Sequence, residues 1–197
     1  TYARAGAAVV LSARSETQVR ANVEALTAKG YRAAGFPCDV SDLAAVRALA
    51  AHAVESFGKI DIWVNNAGMA GVFGPTAAVP VDHYERVVKT NILGAYYGSI
   101  TALEYMLPQR SGKLINLLGR GDDKPVPLQN AYAPSKAWVR SFTPALAKEY
   151  KDTGIGIFAF NPGLVDTAML RKLEAAPGYE GRLKPLSTVI QLWANEP

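Results

Sequence analysis

Residues 60–68 read Ile60-Asp61-Ile62-Trp63-Val64-Asn65-Asn66-Ala67-Gly68. A short, largely apolar run that stops at two amides and a small pair has the length of a buried strand ending in a turn. The same kind of run recurs along the chain at Ala7–Leu11, Tyr31–Pro37, Lys113–Leu118 and Ile155–Phe160. Helical patterns fill the intervals. Ser15-Glu16-Thr17-Gln18 forms a capping box before a helix with Val19, Val23 and Leu26 on one face, and Gly30 closes it. Ser41 caps a second helix that turns Leu43, Val46, Leu49, Ala50 and Val54 inward. Val81–Met106 and Ala131–Tyr150 are longer helical regions, the latter kinked or interrupted at Pro144. Pro185 and Leu186 introduce a last helix, Ser187–Asn195. Strands alternating with helices predict an α/β fold, a doubly wound parallel sheet with helices on both faces. Ligands of such sheets bind beyond the carboxyl ends of the strands.

Composition sets the outer limits. The 197 residues suffice for one domain with a sizeable core, and 49% hydrophobic with 19% charged residues is ordinary for a globular protein. The net charge is +4, with basic and acidic residues interspersed, so no nucleic-acid stripe and no polybasic membrane patch is visible. Cys38, the single cysteine, excludes an internal disulfide and points to a reducing, cytoplasmic compartment. No run approaches the roughly 18 apolar residues of a membrane span. Two histidines and one cysteine provide no metal-ligand cluster, and no serine sits in a nucleophile elbow.

Chemistry concentrates in four segments: Asn65-Asn66-Ala67-Gly68, Thr90-Asn91-Ile92-Leu93-Gly94, Asn130-Ala131-Tyr132-Ala133-Pro134-Ser135-Lys136, and Asn161-Pro162-Gly163-Leu164-Val165-Asp166-Thr167. Tyr132 and Lys136 are four apart on a helix and share a face, where an ammonium favours the phenolate and lowers the tyrosine pKa towards working pH. Such a tyrosine serves as general acid for carbonyl reduction or as base in reverse. An exposed amphipathic pair is the bland alternative. Asn91 stands inside a helix, where asparagine is a mediocre former: an N-cap, a helix-bending polar residue, or a functional one.

Taken in this order, the four segments resemble the short-chain dehydrogenase/reductase family, which has a Rossmann-type fold and depends on NAD(P). The resemblance implies Tyr132, Lys136 and Asn91 as catalytic residues, with Lys136 also binding ribose and Asn91 holding a relay water. It implies that Asn66, Ala67 and Gly68 flank the adenosine half of the cofactor, with Asn65 partly structural. A plain turn after a strand is the alternative there. Asp39 and Val40 resemble the adenine-contacting pair, although an aspartate before Ser41 also suits a helix start. Pro162, Gly163, Val165 and Thr167 resemble the turn that places a hydroxyl on the nicotinamide carboxamide. The Ala168–Leu186 stretch after it, with its glycines, prolines and charges, reads as a mobile lid or a simple surface loop.

Cofactor choice is read at Ser12-Ala13-Arg14-Ser15. A ribose-selecting acid would mark NAD; alanine stands there, and Arg14 with Ser12 suits the 2′-phosphate of NADP. A surface arginine beside a helix cap is the alternative reading. The expected partner is a small carbonyl or alcohol substrate. Long helices with small and aromatic residues (Gly94–Tyr97, Trp138, Phe142) suggest a homo-oligomer, a dimer or tetramer, and a buried intrachain face explains them as well.

Two departures accompany the match. The serine expected thirteen residues before the tyrosine is Gly119, within Leu118-Gly119-Arg120-Gly121. Losing one donor to a developing oxyanion commonly costs about 10² to 10³ in rate. Arg120, a backbone N–H of the Gly119–Gly121 turn, or a group on the substrate would have to replace it. The alternative function is therefore an NADP-binding sensor or scaffold with little turnover. The second departure is the missing glycine-rich phosphate loop. Thr1–Gly6 reads as the tail of a helix, so the single domain over 1–197 is expected to lack about 20 to 25 residues of strand, glycine turn and helix, and a final strand. Without that first strand the sheet should be split.

Overall fold

The computed structural model describes residues 2–163 and 165–182. Among them are seven strands: β1 (Val9–Ala13), β2 (Ala33–Pro37), β3 (Ile62–Asn65), β4 (Val72–Phe73), β5 (Gly112–Leu117), β6 (Ile155–Phe160) and β7 (Glu174–Ala175). The helices are α1 (Glu16–Thr27), α2 (Leu43–Phe57), α3 (Val81–Val87), α4 (Gly94–Gln109), α5 (Tyr132–Glu149) and α6 (Ala168–Arg171). The last helix expected from the sequence, Ser187–Asn195, lies outside the described residues.

The strand pairing among the described residues is parallel throughout. β1 pairs with β2, β5 lies between β3 and β6, and the short β4 pairs with β7. The β1–β2 pair and the β3–β5–β6 group share no hydrogen-bonded pair among the described residues, the split that the sequence reading expects. Adjacent residues of β2 show how both faces are covered. A Cβ on Gly35 would overlap Val19 and stand 2.8 Å from Val23 Cγ2, both on α1. The Phe36 ring points the opposite way and packs on His52 of α2, with centroids 5.3 Å apart. Side chains alternate across a strand, so α1 and α2 cover opposite faces.

In the three-stranded group, one face meets α4 and α5. Ala50, Ile60, Ala102, Leu103, Met106, Leu114 and Leu146 form its core. Asn65 and Asn116 also point inward. Asn65 Nδ2 donates to Asn116 Oδ1 (2.8 Å), Ser99 Oγ and Ala95 O, and Asn65 Oδ1 accepts from Trp63 Nε1. Asn116 Nδ2 donates to Thr143 Oγ1 on α5 at 3.0 Å. The two amides thus bind strand to strand and sheet to helix, the structural part expected of Asn65. The opposite face carries Ile62, Val64, Phe158 and Phe160, exposed among the described residues.

Several local expectations need correction. β1 occupies Val9–Ala13, two residues later than the apolar run suggests, because its register is set by pairing with Ala33–Pro37. The cap of α2 is Asp42, whose Oδ1 accepts from Ala44 N and Ala45 N; Ser41 turns its N–H and hydroxyl to Asp39 Oδ1 instead. Pro144 does not interrupt α5, which continues to Glu149. Pro144 and Arg140 are both exposed, so the carbonyl deprived of its donor lies on the watered side. The Ser15 cap holds, with Oγ accepting from Gln18 N. Gly30 closes α1 through Gly30 N to Thr27 O and Tyr31 N to Leu26 O.

Candidate active site

The helical region that starts at Val81 is not a uniform α-helix. Val88–Leu93 forms a π-helical segment between α3 and α4. The wider turn shifts the side-chain register, and segments of this kind often mark functional positions. It brings Asn91, 2% exposed, into the interior. Asn91 Oδ1 accepts from Met69 N (2.9 Å), and its Nδ2 donates to Met69 O (3.0 Å) and Ser135 Oγ (2.9 Å). Ser135 Oγ in turn donates to Tyr132 O at 2.6 Å. One amide therefore joins the turn after β3 to the first turn of α5.

Tyr132 opens α5, and Lys136 follows one turn later, only 6% exposed. Lys136 Nζ donates to Leu117 O at 2.9 Å and lies 5.7 Å from the Tyr132 ring centre. A Cβ built on Gly68 would stand 3.5 Å from Asn91 Oδ1 and 3.8 Å from Lys136 Nζ. Gly68, Asn91, Tyr132 and Lys136 are thus gathered at one place, beside the carboxyl ends of β3 and β5. Gly119 completes it: a Cβ there would overlap the Tyr132 hydroxyl.

The electrostatics differ from the expectation that Lys136 lowers the Tyr132 pKa. Burial, and then the carboxylate of Asp122, push the tyrosine above its ordinary value. Burial brings the lysine down to about 8, against a smaller upward pull from Asp122. The ammonium is directed at Leu117 O and the tyrosine ring, and desolvation brings its titration closer to neutrality.

The other expected positions form two further groups. Ser12 and Arg14, both exposed, end β1, and Asp39 follows β2 beside them, where Cys38 N donates to Ala13 O. Hydrogen bonds from Ser41 lower the Asp39 pKa, with a smaller contribution from Arg14. Val40 packs over Gly94, where a Cβ would lie 2.7 Å from Val40 Cγ2. Asn66 and Ala67 leave β3 exposed to solvent. After β6, Pro162, Gly163 and Val165 are exposed, and Gly163 (φ +71°) receives the Asn161 side chain on its N–H. Thr167 Oγ1 is buried without a hydrogen-bond partner among the described residues. Among the described residues this hydroxyl has no partner and Lys136 uses one of its three donors, which fits a nicotinamide nucleotide lying across these strand ends. The stretch expected as a lid or loop is docked where it is described: β7 pairs with β4, and Ala176, 1% exposed, donates its N–H to Phe73 O.

Sequence reading missed Asp122. It is 8% exposed and pairs with Arg140 Nη1 at 3.0 Å. The readable signal was Arg140, four residues beyond Lys136 on the face that carries Tyr132.

A short chain dehydrogenase family model matches residues 1–178. The chain belongs to that family. It is 37% identical over 174 residues to 3beta-hydroxysteroid dehydrogenase 1 of Eggerthella lenta, a match covering 87% of the chain and 66% of that protein. A single-residue variant of actinorhodin polyketide ketoreductase, solved with NADPH, shares 35% identity at a TM-score of 0.80, covering 85% of the chain and 64% of that structure. The 3-ketoacyl-(acyl-carrier-protein) reductase of Brucella melitensis, solved with NADH, shares 28% at a TM-score of 0.81, covering 87% and 71%. The chain spans 62% and 63% of the length of two further curated relatives. Short-chain dehydrogenases share a Rossmann-like α/β architecture with the present chain. Among the described residues no helix is long and apolar enough to cross a membrane.

Proposed function

We propose that the protein is an NADP-dependent oxidoreductase that interconverts a small carbonyl compound and its alcohol, with residues 1–197 as one nucleotide-binding domain. The observation that carries this reading is the convergence of the part-buried Tyr132 with the buried Lys136 and Asn91, the latter 41 residues before the tyrosine, on one spot. The cofactor supplies or accepts the hydride. Tyr132 donates its phenolic proton to the carbonyl oxygen in reduction and recovers it in the reverse direction. Lys136 stabilises the phenolate left behind and offers its free N–H donors to ribose. Asn91 fixes the π-turn against α5 and so holds the tyrosine in place; with Gly68 it frames the space in which a relay water would reach Lys136.

Arg14, beside Asp39 at the end of β1, supports NADP over NAD, since a guanidinium suits a 2′-phosphate. Thr167 offers its hydroxyl, unpaired among the described residues, to the carboxamide end, and Pro162, Gly163 and Val165 line the way. For assembly, Tyr96 and Phe142 (6.3 Å between centroids) and Trp138 stacked on Phe142 (4.5 Å) form one partly exposed aromatic patch across α4 and α5, which supports a homodimer or tetramer. A cytoplasmic setting agrees with the single buried cysteine.

Gly119 favours a second reading, a nucleotide-binding protein with little turnover that acts as sensor or scaffold. NADPH oxidation over a panel of ketones and aldehydes, run on the full-length protein beside Tyr132→Phe, separates the two. Turnover abolished in the variant supports the reductase. Tight NADPH binding with no turnover in either protein supports the sensor.

A further inference from the structure

The connection after β5 is fastened to α5 at three points. Gly119 abuts the Tyr132 hydroxyl, Gly121 (φ +88°) abuts Ala133, and the Asp122 carboxylate pairs with the Arg140 guanidinium. Asp122 N donates to Gly119 O at 3.2 Å, which closes the turn. Tyr132, Lys136 and Arg140 succeed one another at intervals of four on α5, so the ion pair continues the row begun by the two site residues. Exposure is uneven: the side chain of Asp122 is 7% exposed and that of Arg140 55%. A carboxylate is thus kept on the inner side of the turn, with its counter-charge on the outer side.

We propose that Asp122, anchored by Arg140, is a positioning residue of this site: it locks the Gly119–Asp122 turn over the Tyr132 hydroxyl and biases that hydroxyl towards its protonated, proton-donating form. The inference rests on the reading of Tyr132 as the proton-transfer residue.

Among the described charges, Lys136 lies on the helix that carries Tyr132. Arg120, Asp123 and Lys124 share the connection with Asp122 and are exposed, where water screens them. Lys89 on the π-turn is also exposed, and Asp166 beyond β6 is paired with Arg171 at 2.6 Å. Asp122 is the charge that raises the tyrosine after burial itself, and it raises Lys136 as well. A protonated tyrosine beside a protonated lysine is the form needed for reduction, so the carboxylate extends the pH range of the reductive direction upward.

The phenol titration tests this without turnover. Near-ultraviolet phenolate absorbance is recorded for the full chain and for each variant, with the matching Tyr132→Phe double variant subtracted to isolate Tyr132. Asp122→Asn should move the Tyr132 titration to lower pH by about half a pH unit or more, since a nearby like charge is removed. Arg140→Gln should move it the other way, because Asp122 loses its neutralising partner, and Arg140→Lys should leave it in place. The pH profile of NADPH oxidation should follow the same three displacements. A purely structural clamp would lower activity in Asp122→Asn and Arg140→Gln alike without opposed displacements. Titrations that stay put, or move in one direction for both, overturn the proposal. Opposed displacements with no turnover on any substrate uphold it and reject the oxidoreductase reading instead.

Discussion

The Tyr132 hydroxyl stands where a side chain on residue 119 would begin. Gly119 is therefore more than a deleted serine: the tyrosine has taken its space. Gly119→Ser should fail to raise turnover and should displace the phenol, an overpacking that costs about 1 to 3 kcal/mol. Steady-state kinetics and thermal unfolding of Gly119→Ser and Gly119→Ala check this. A tenfold gain in kcat/KM for the serine variant would show that the hydroxyl was merely missing.

Lys136 is kept at a cost in stability. Its folded pKa of about 8 lies below the ordinary lysine value of 10.5 that applies to the unfolded chain. Between those values the unfolded state binds the extra proton, so stability rises with pH across that window, by about 3 kcal/mol at most. Above pH 10 the raised Tyr132 reverses the trend, because the unfolded tyrosine loses its proton first. Lys136→Met should thus be more stable than the parent near neutrality and lose that advantage as pH approaches 10. Urea unfolding across the pH series, without cofactor, checks the sign; an advantage that does not shrink with pH contradicts it.

What was legible in the sequence follows from periodicity and from spacing along one helix. β6 falls on the expected residues Ile155–Phe160, because a run flanked by glycine and an Asn-Pro turn has few ways to slide. Tyr132 and Lys136 were readable because a separation of four places two side chains on one helical face. The π-turn at Val88–Leu93 was not, since apolar spacing looks the same through a single inserted residue. Nor was Asp122 itself: Arg140 stands in the row of Tyr132 and Lys136, but its partner is 18 residues away on another element, and only packing makes the pair. The Tyr132 pKa came out with the wrong sign for the same reason, as spacing reports neighbours on a helix but not burial.

Asn65 and Asn116 should prove more important to folding than to chemistry. Asn65 ties β3 to α4 and Asn116 ties β5 to α5, joins that strand pairing does not supply, and Asn116 is fully buried. Asn116→Ala takes from Thr143 Oγ1 its donor and from Asn65 Nδ2 one of three acceptors, which costs about 1 to 3 kcal/mol. Asn65→Ala should cost a similar amount, and the double variant should cost clearly less than the two together because they share one bond. Urea unfolding of the three variants measures the coupling; strict additivity would mean that the amides act independently.

Arg14 provides the last test, and it concerns selectivity alone. The residue is exposed at the end of β1, on a side where Asp39 is already committed to Ser41, so its guanidinium is available to a phosphate. Arg14→Ala should weaken NADPH binding by about 1.5 to 3 kcal/mol, the value of a hydrogen bond to a charged group, which is roughly 10- to 150-fold. NADH binding, which has no 2′-phosphate to lose, should change little, and the unfolding midpoint should stay put. Titrating both nucleotides by their fluorescence on the parent and the variant compares the two directly. Equal losses for NADPH and NADH would move the selecting group away from Arg14, because only a contact to the 2′-phosphate distinguishes the two nucleotides.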